Sequence, residues 1–158
     1  MEESSAVVDF DRQLNQLDRI YAGFSRACGL SECAFWMLLD TAAYGGEATL
    51  ARLTDEWCYS KQTINSALKT LTKKELATLD FVEGSRKNKL VRLTERGREF
   101  AERYTDPAIE AENRAFDALG AEERNELMRL LRKFAGALEG ELAVYEERVS
   151  AYQDRNDR

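Results

Sequence analysis

The run SKQTINSALKTLTKKE, residues 60–75, followed by LATLDFVEGSRKNKLVRLTERG, residues 76–97, decides how the chain is read. In the first run Ile64, Leu68 and Leu71 recur at steps of 4 and 3, the period of one helix face. Ser60 precedes them as a cap, because its hydroxyl can accept a backbone N–H left free in the first turn. Gln62, Asn65, Ser66, Lys69 and Lys73 share another, solvent-facing stripe, and a core needs none of them. After Leu76 the period changes. Residues 78–82 and 89–93 are β-prone and are joined by a polar loop, 83–88, that contains Gly84. That pattern predicts a β-hairpin with a basic tip of Arg86, Lys87 and Lys89. Thr94 then caps a helix over 95–104.

Upstream, Phe10, Leu14, Leu17, Tyr21 and Phe24 lie at steps of 4, 3, 4 and 3, which predicts an amphipathic helix over 9–27 ended by Gly29. Ser31 caps a largely apolar helix over 32–44, and Gly45-Gly46 breaks it. Thr49 caps a short helix over 50–56 with Leu50, Leu53 and Trp57 turned inward, and Trp57-Cys58-Tyr59 forms a turn. Downstream, Pro107 suits the first turn of a new helix or a kink. That helix runs to about Leu119, and Gly120 separates it from the last one, over 122–152. The last helix places Leu127, Leu131, Phe134, Leu138, Leu142, Tyr145, Val149 and Tyr152 at steps of 3 or 4. At 1.5 Å per residue it spans roughly 45 Å. A small domain cannot cover an apolar stripe of that length, and the first helix of a second copy is the economical partner.

A chain of 158 residues, 44% hydrophobic and 33% charged, is one domain or a small core with helical arms. One proline and nine glycines argue against an all-β sandwich or barrel. No apolar run approaches a membrane span, and Met1-Glu2-Glu3-Ser4 lacks a signal-peptide layout, so a cytoplasmic location without membrane attachment is expected. Three cysteines without paired spacing fit a reducing compartment. The absence of histidine removes imidazole acid–base chemistry and the commonest zinc ligand, and no Gly-rich phosphate loop is present. The expectation is a protein that is not an enzyme and holds no cofactor or metal.

The net charge of −6 conceals a polarity. Residues 1–59 carry 4 basic and 10 acidic side chains, residues 60–98 carry 10 and 4, and residues 99–158 carry 9 and 15. A cationic block thus sits inside an acidic protein, which can engage phosphates on one face and repel them elsewhere.

A short helix, a tight turn, a polar-faced helix and a basic hairpin make a winged helix-turn-helix. The expected fold is mainly α with a small β-hairpin wing, its core over 30–98. Dimerisation helices come from 7–29 and 99–152, with a polar tail at 153–158. A helix fits the major groove, where Gln and Asn can bond adenine edges, Lys can reach guanine or phosphate, and Ser or Thr serves either. Candidate contacts to double-stranded DNA are therefore Ser60, Lys61, Gln62, Thr63, Asn65, Ser66, Lys69 and Lys73 on the helix and Arg86, Lys87 and Lys89 on the hairpin. Arg86 is placed to enter the flanking minor groove.

From about Phe10 to Tyr145 the chain resembles the MarR family of bacterial transcriptional regulators. The resemblance is carried by Gly29-Leu30-Ser31 with Phe35, by Ser60 to Asn65, by Leu90 to Gly97 with its Leu-Thr-x-x-Gly, and by Glu122-Glu123 with Leu127 and Leu130-Leu131. Gly120-Ala121 stands where the family has a capping serine before the acidic pair. The resemblance implies a homodimer on a pseudopalindromic operator, usually a repressor, often released by a small-molecule effector or by thiol oxidation.

The aromatic residues Tyr21, Phe24, Phe35, Trp36, Tyr44 and Trp57 are expected in the core rather than around an effector, since aromatic stripes at helical spacing usually pack. Cys28 and Cys33 flank the junction of the first two helices and are candidate redox sensors; the alternative is that they are small buried hydrophobes. The rival function is a helical protein-interaction module that keeps the winged fold without binding DNA. It predicts no salt-dependent affinity for duplex.

Overall fold

The computed structural model describes residues 5–57, 59–85 and 87–156. Two compact units divide the chain, residues 1–109 and 110–158. In the first, α1 (Ala6–Ala27) is followed by α2 (Glu32–Ala43), β1 (Glu47–Thr49), α3 (Leu50–Trp57) and α4 (Lys61–Lys73). The hairpin of β2 (Ala77–Phe81) and β3 (Lys89–Leu93) comes next, then α5 (Glu95–Phe100), a π-helical segment (Ala101–Thr105) and α6 (Asp106–Asp117), whose later residues belong to the second unit. That unit is otherwise one helix, α7 (Ala121–Asn156).

The helix starts follow the caps that the sequence offers. Ser31, Ser60 and Thr94 accept the backbone N–H three residues on, from Ala34, Thr63 and Gly97, and Thr49 accepts from Arg52. Ser5 does the same for α1, which therefore begins three residues before the expected start. Gly120 has no side chain to cap α7. Glu123 reaches back instead, and its Oε2 accepts the Gly120 N–H at 2.8 Å, one half of a capping box. The helix then runs to Asn156, so residues 153–156 of the expected polar tail are helical.

Three helix ends in the first unit share one device. After α1, α2 and α4 the chain turns through a left-handed residue, with the paired 6→1 and 5→2 bonds of a Schellman motif. Glycine fills that position twice, as Gly29 and Gly45, but after α4 it is Glu75, at φ 59°. An L-residue there costs about 1–2 kcal/mol. Its carboxylate recovers little through the exposed Arg96 ion pair at 3.0 Å. Glu75→Gly is therefore expected to stabilise the protein by about 0.5–1 kcal/mol in urea unfolding; an unchanged or lower midpoint would contradict it.

Two further features differ from the sequence expectation. The sheet has three strands in the order β1-β3-β2, all antiparallel, because Glu47, Ala48 and Thr49 pair with Arg92, Val91 and Leu90. Residues 95–117 are also helical throughout, without a break at Thr105-Asp106. The extra residue is absorbed by the π turn, closed by Asp106 N–H to the Ala101 carbonyl, and Pro107 takes the first turn of α6.

The core of the first unit lies between α2, α4 and the sheet, with Met37, Leu38, Leu53, Leu71 and Val91 fully buried. The aromatic residues of α1 and α2 interlock edge to face: Tyr21 with Trp36 at 5.1 Å, Phe24 with Phe35 at 5.5 Å and Phe35 with Trp36 at 5.7 Å. Of the aromatic set expected in the core, Phe35 is buried and Trp36 and Tyr44 pack against the core half-buried, whereas Phe24 stays exposed on α1. Leu53 is buried as expected; the side chain of Trp57 lies outside the described residues.

Gly97 is buried where α5 meets the start of β2. Thr94 donates its N–H to the Leu76 carbonyl at 3.1 Å and its hydroxyl to the Glu75 carbonyl at 2.6 Å, while that hydroxyl accepts the Gly97 N–H. A Cβ on Gly97 would overlap the Leu76 carbonyl oxygen and lie 2.9 Å from its carbon. The Leu-Thr-x-x-Gly run is therefore a packing device that joins the end of α4 to the start of α5.

Candidate nucleic-acid interface

Helix α4 turns Ile64, Ala67, Leu68 and Leu71 into the core, which fixes its opposite face outward. Lys61, Gln62, Thr63, Asn65, Ser66, Lys69 and Lys73 are all exposed. Two of the hydroxyls are engaged: Ser60 Oγ accepts the Thr63 N–H at 3.1 Å and shares a 2.8 Å hydrogen bond with Thr63 Oγ1. Ser60 and Thr63 thus hold the helix start. The side chains of Gln62, Asn65, Ser66, Lys69 and Lys73 have no hydrogen bond or ion pair among the described residues, so a surface rich in donors and acceptors faces solvent.

The structure sorts the nine described cations of residues 60–98 into two groups by side-chain type. The described arginines are paired. Arg92, on the central strand, bonds Glu47 of β1 at 3.0 Å and lies 3.6 Å from Asp80 of β2, clasping all three strands on the outer face. Arg96 pairs with Glu75 at 3.0 Å. Arg98 pairs with Glu95 at 3.4 Å and bonds the Leu93 carbonyl at 3.2 Å. Lys61, Lys69, Lys73, Lys74, Lys87 and Lys89 are exposed and have no such partner among the described residues. Among the described residues of this block, the cations without an ion pair are therefore lysines, on α4 and the hairpin. Sequence reasoning did not single out Lys74, although it adjoins Lys73. Its Nζ lies 3.8 Å from where a Cβ on Gly29 would be, over the α1–α2 turn.

The hairpin loop closes through the Val82 N–H to the Asn88 carbonyl at 2.9 Å, and Ser85 Oγ accepts the N–H groups of Lys87 and Asn88. These bonds hold Lys87 and Lys89 on the wing. Arg86, expected at its tip, lies outside the described residues, as does Cys58.

Cys28 is half-buried, Cys33 is buried, and both are free thiols. Burial pushes the Cys28 thiol up; at Cys33 burial, then the Glu32 charge, raises it from 9.0 to about 11. The thiolate that reacts with peroxide is thereby disfavoured at neutral pH. The unfolded thiol ionises near its ordinary value and the folded one higher, so stability is intact below pH 9 and falls as pH rises towards 11. The loss reaches at most roughly 3 kcal/mol. Tyr59, raised to about 12 mainly by burial, acts in the same direction at higher pH. Urea midpoints between these limits should drop less in Cys33→Ala than in the wild type; parallel curves would refute the assignment.

A cleft of about 250 Å³ lies between the end of α2 and the π segment, walled by Leu39, Ala42, Leu93 and Ile109 with Arg98 and Glu102 among its polar groups. Among the described residues no helix is long and apolar enough to cross a membrane, and no cluster of side chains is suited to hold a metal ion.

No protein-family model matches the chain, and no curated protein matches it in sequence. Solved structures do match. NMB1585, a MarR family regulator from Neisseria meningitidis, superposes with a TM-score of 0.72 at 24% identity, over 89% of this chain and 98% of that one. The fold is that of the MarR regulators. A MarR family transcriptional regulator from Listeria monocytogenes, in complex with 26-mer DNA, has a TM-score of 0.67 at 21% identity, over 88% and 92% of the two chains. NadR in complex with 4-hydroxyphenylacetate has a TM-score of 0.62 at 17% identity, over 85% and 95%. In this MarR-type fold α3 and α4 form the helix-turn-helix, and β2 and β3 form the wing.

Proposed function

We propose that the chain is a sequence-specific regulator of transcription that binds double-stranded DNA as a homodimer on a pseudopalindromic operator, represses, and is released by a small-molecule effector. The observation that carries the reading is the unpartnered stripe of Gln62, Asn65, Ser66, Lys69 and Lys73 on a helix anchored by its other face. Amides at that spacing suit base edges in the major groove, and the ammonium groups suit phosphate or guanine. The Listeria protein crystallised with DNA supports the same use of the fold.

In this reading residues 30–98 form the DNA-binding lobe, and residues 7–29 with 99–152 form the dimer. The helices of the latter expose long apolar rows, among them Leu14, Leu17 and Ile20 on α1 and Leu130, Leu138 and Leu142 on α7. Two-fold symmetry then sets the half-sites about 34–36 Å apart. The cleft beside Arg98 is the candidate effector seat, and the ligand-bound NadR neighbour supports release by a small molecule. A buried Cys33 and a half-buried Cys28, both with their ionisation pushed up, give oxidation less footing.

The test is selection from a random duplex pool, followed by titration over a salt series and sedimentation of the free protein. The expected result is a dimer whose affinity falls steeply with salt, as counterion release requires. A folded protein that ignores duplex DNA in dilute buffer would favour the protein-interaction module instead.

A further inference from the structure

Among the described residues from 30 to 109, Phe81 is the only large hydrophobic side chain left exposed, at 59%. The others of that kind lie on α1, α6 and α7. A single exposed apolar residue is ordinary on a protein surface, so its position must carry the argument. Phe81 ends an edge strand, where an exposed aromatic ring invites unwanted association. It also has no ring contact among the described residues that would justify an aromatic side chain.

The register shows where the ring points. Across the hairpin Ala77 pairs with Leu93, Leu79 with Val91 and Phe81 with Lys89. Residues two apart on a strand share a face, so these three pairs form one row. The inner two pack with the core that α4 supplies, and β2 packs directly against α4. Phe81 and Lys89 therefore continue the row past the edge of the core, on the side of the sheet that α4 occupies. Lys89, and Lys87 in the adjoining loop, are exposed and without an ion pair among the described residues.

An apolar ring opposite one unpaired ammonium group, with a second in the adjoining loop, on the side of the sheet that α4 occupies, complements a polyanion with apolar edges. The minor groove of duplex DNA has that chemistry, with sugar C–H walls between lines of phosphate, and apolar side chains are used there as wedges. We propose that Phe81 is a DNA-contacting residue of the wing, packing its ring on deoxyribose in the minor groove beside the segment read by α4, while Lys89 holds the adjoining phosphate. This rests on the DNA-binding reading above.

The experiment titrates wild type, Phe81→Ala, Phe81→Leu, Lys89→Ala and Lys69→Ala with a labelled duplex recovered by selection from a random pool, across a salt series. Phe81→Ala is expected to weaken binding about tenfold, the effect of losing partial burial of one ring. Its salt slope should stay unchanged, because no charge is removed, whereas Lys89→Ala should lower the slope by about 0.9. Phe81→Leu should keep most of the affinity, and melting temperatures should not fall, since the ring is exposed. Wild-type affinity in Phe81→Ala, with Lys69→Ala still weakened, overturns the wing contact and leaves the DNA-binding reading standing. An altered salt slope or a dissociated dimer in Phe81→Ala overturns it too, because the role is then structural. Failure of the wild type to bind any duplex overturns both.

Discussion

Gly97→Ala is expected to cost the winged lobe roughly 3 kcal/mol or more, a large share of the roughly 5–15 kcal/mol that holds a domain folded. The new Cβ would strike the Leu76 carbonyl, a backbone group that cannot rotate away. Leu76 also has both sides committed: its N–H bonds the Leu71 carbonyl at the end of α4, and its carbonyl accepts from Thr94. Relief would require α5 to lift off, which breaks the Thr94 bonds to Glu75 and Leu76 as well. Urea unfolding followed by circular dichroism is the measurement. A midpoint within experimental error of the wild type would show that the contact relaxes freely, and the packing account of the Leu-Thr-x-x-Gly run would have to be abandoned.

The double change Lys69→Glu with Lys73→Glu is expected to reduce affinity for duplex DNA by roughly 100-fold or more at moderate salt, while melting stays put. Both side chains are exposed and neither belongs to an ion pair among the described residues, so the fold does not depend on them. On the proposed reading, reversal removes two phosphate contacts and places carboxylates against the polyanion, which costs more than neutralisation. As a control, Arg92→Gln alters a cation that Glu47 and Asp80 already hold, so DNA affinity should change little. Equal losses at both sites would mean that net charge, rather than the face of α4, governs binding.

Most of this architecture was legible in the chain because the deciding signals are local. The period of Ile64, Leu68 and Leu71 gave the core face of α4, and the hydroxyls of Ser31, Thr49, Ser60 and Thr94 marked four helix starts. Strand β1 escaped because three residues, only Ala48 buried, are too few for alternation to register. Its strand character comes from pairing with β3, more than forty residues away, with Arg92 and Glu47 facing each other. The π turn escaped for a related reason. An inserted helical residue leaves no compositional mark, and the polar, proline-bearing run Thr105-Asp106-Pro107 reads locally as a boundary. In the folded chain the Thr105 hydroxyl is buried and bonds the Ala101 carbonyl at 2.8 Å.

At the candidate site, the sequence placed every residue of the α4 stripe on the correct face. It did not tell spent cations from available ones, because the partners of Arg92 and Arg96 lie at sequence separations of 45 and 21. The basic block looked uniform in one dimension and is divided by pairing in three. Phe81 escaped because strand alternation assigns it to the core-facing row, and only the extent of the core shows that this row outruns it.

That division of labour among the cations has a corollary for how an operator would be told from bulk genome. Guanidinium forks, the groups best shaped to grip guanine, are paired with carboxylates on the lobe's surface at Arg92, Arg96 and Arg98. What α4 holds out is a pair of amides, Gln62 and Asn65, among mobile point charges. Where those ammonium groups sit on phosphate, adhesion would be indifferent to base identity, and discrimination would rest chiefly on two carboxamides suited to adenine. Such a reader would favour A·T-containing half-sites and yield its selectivity, before its grip, when those two side chains are removed.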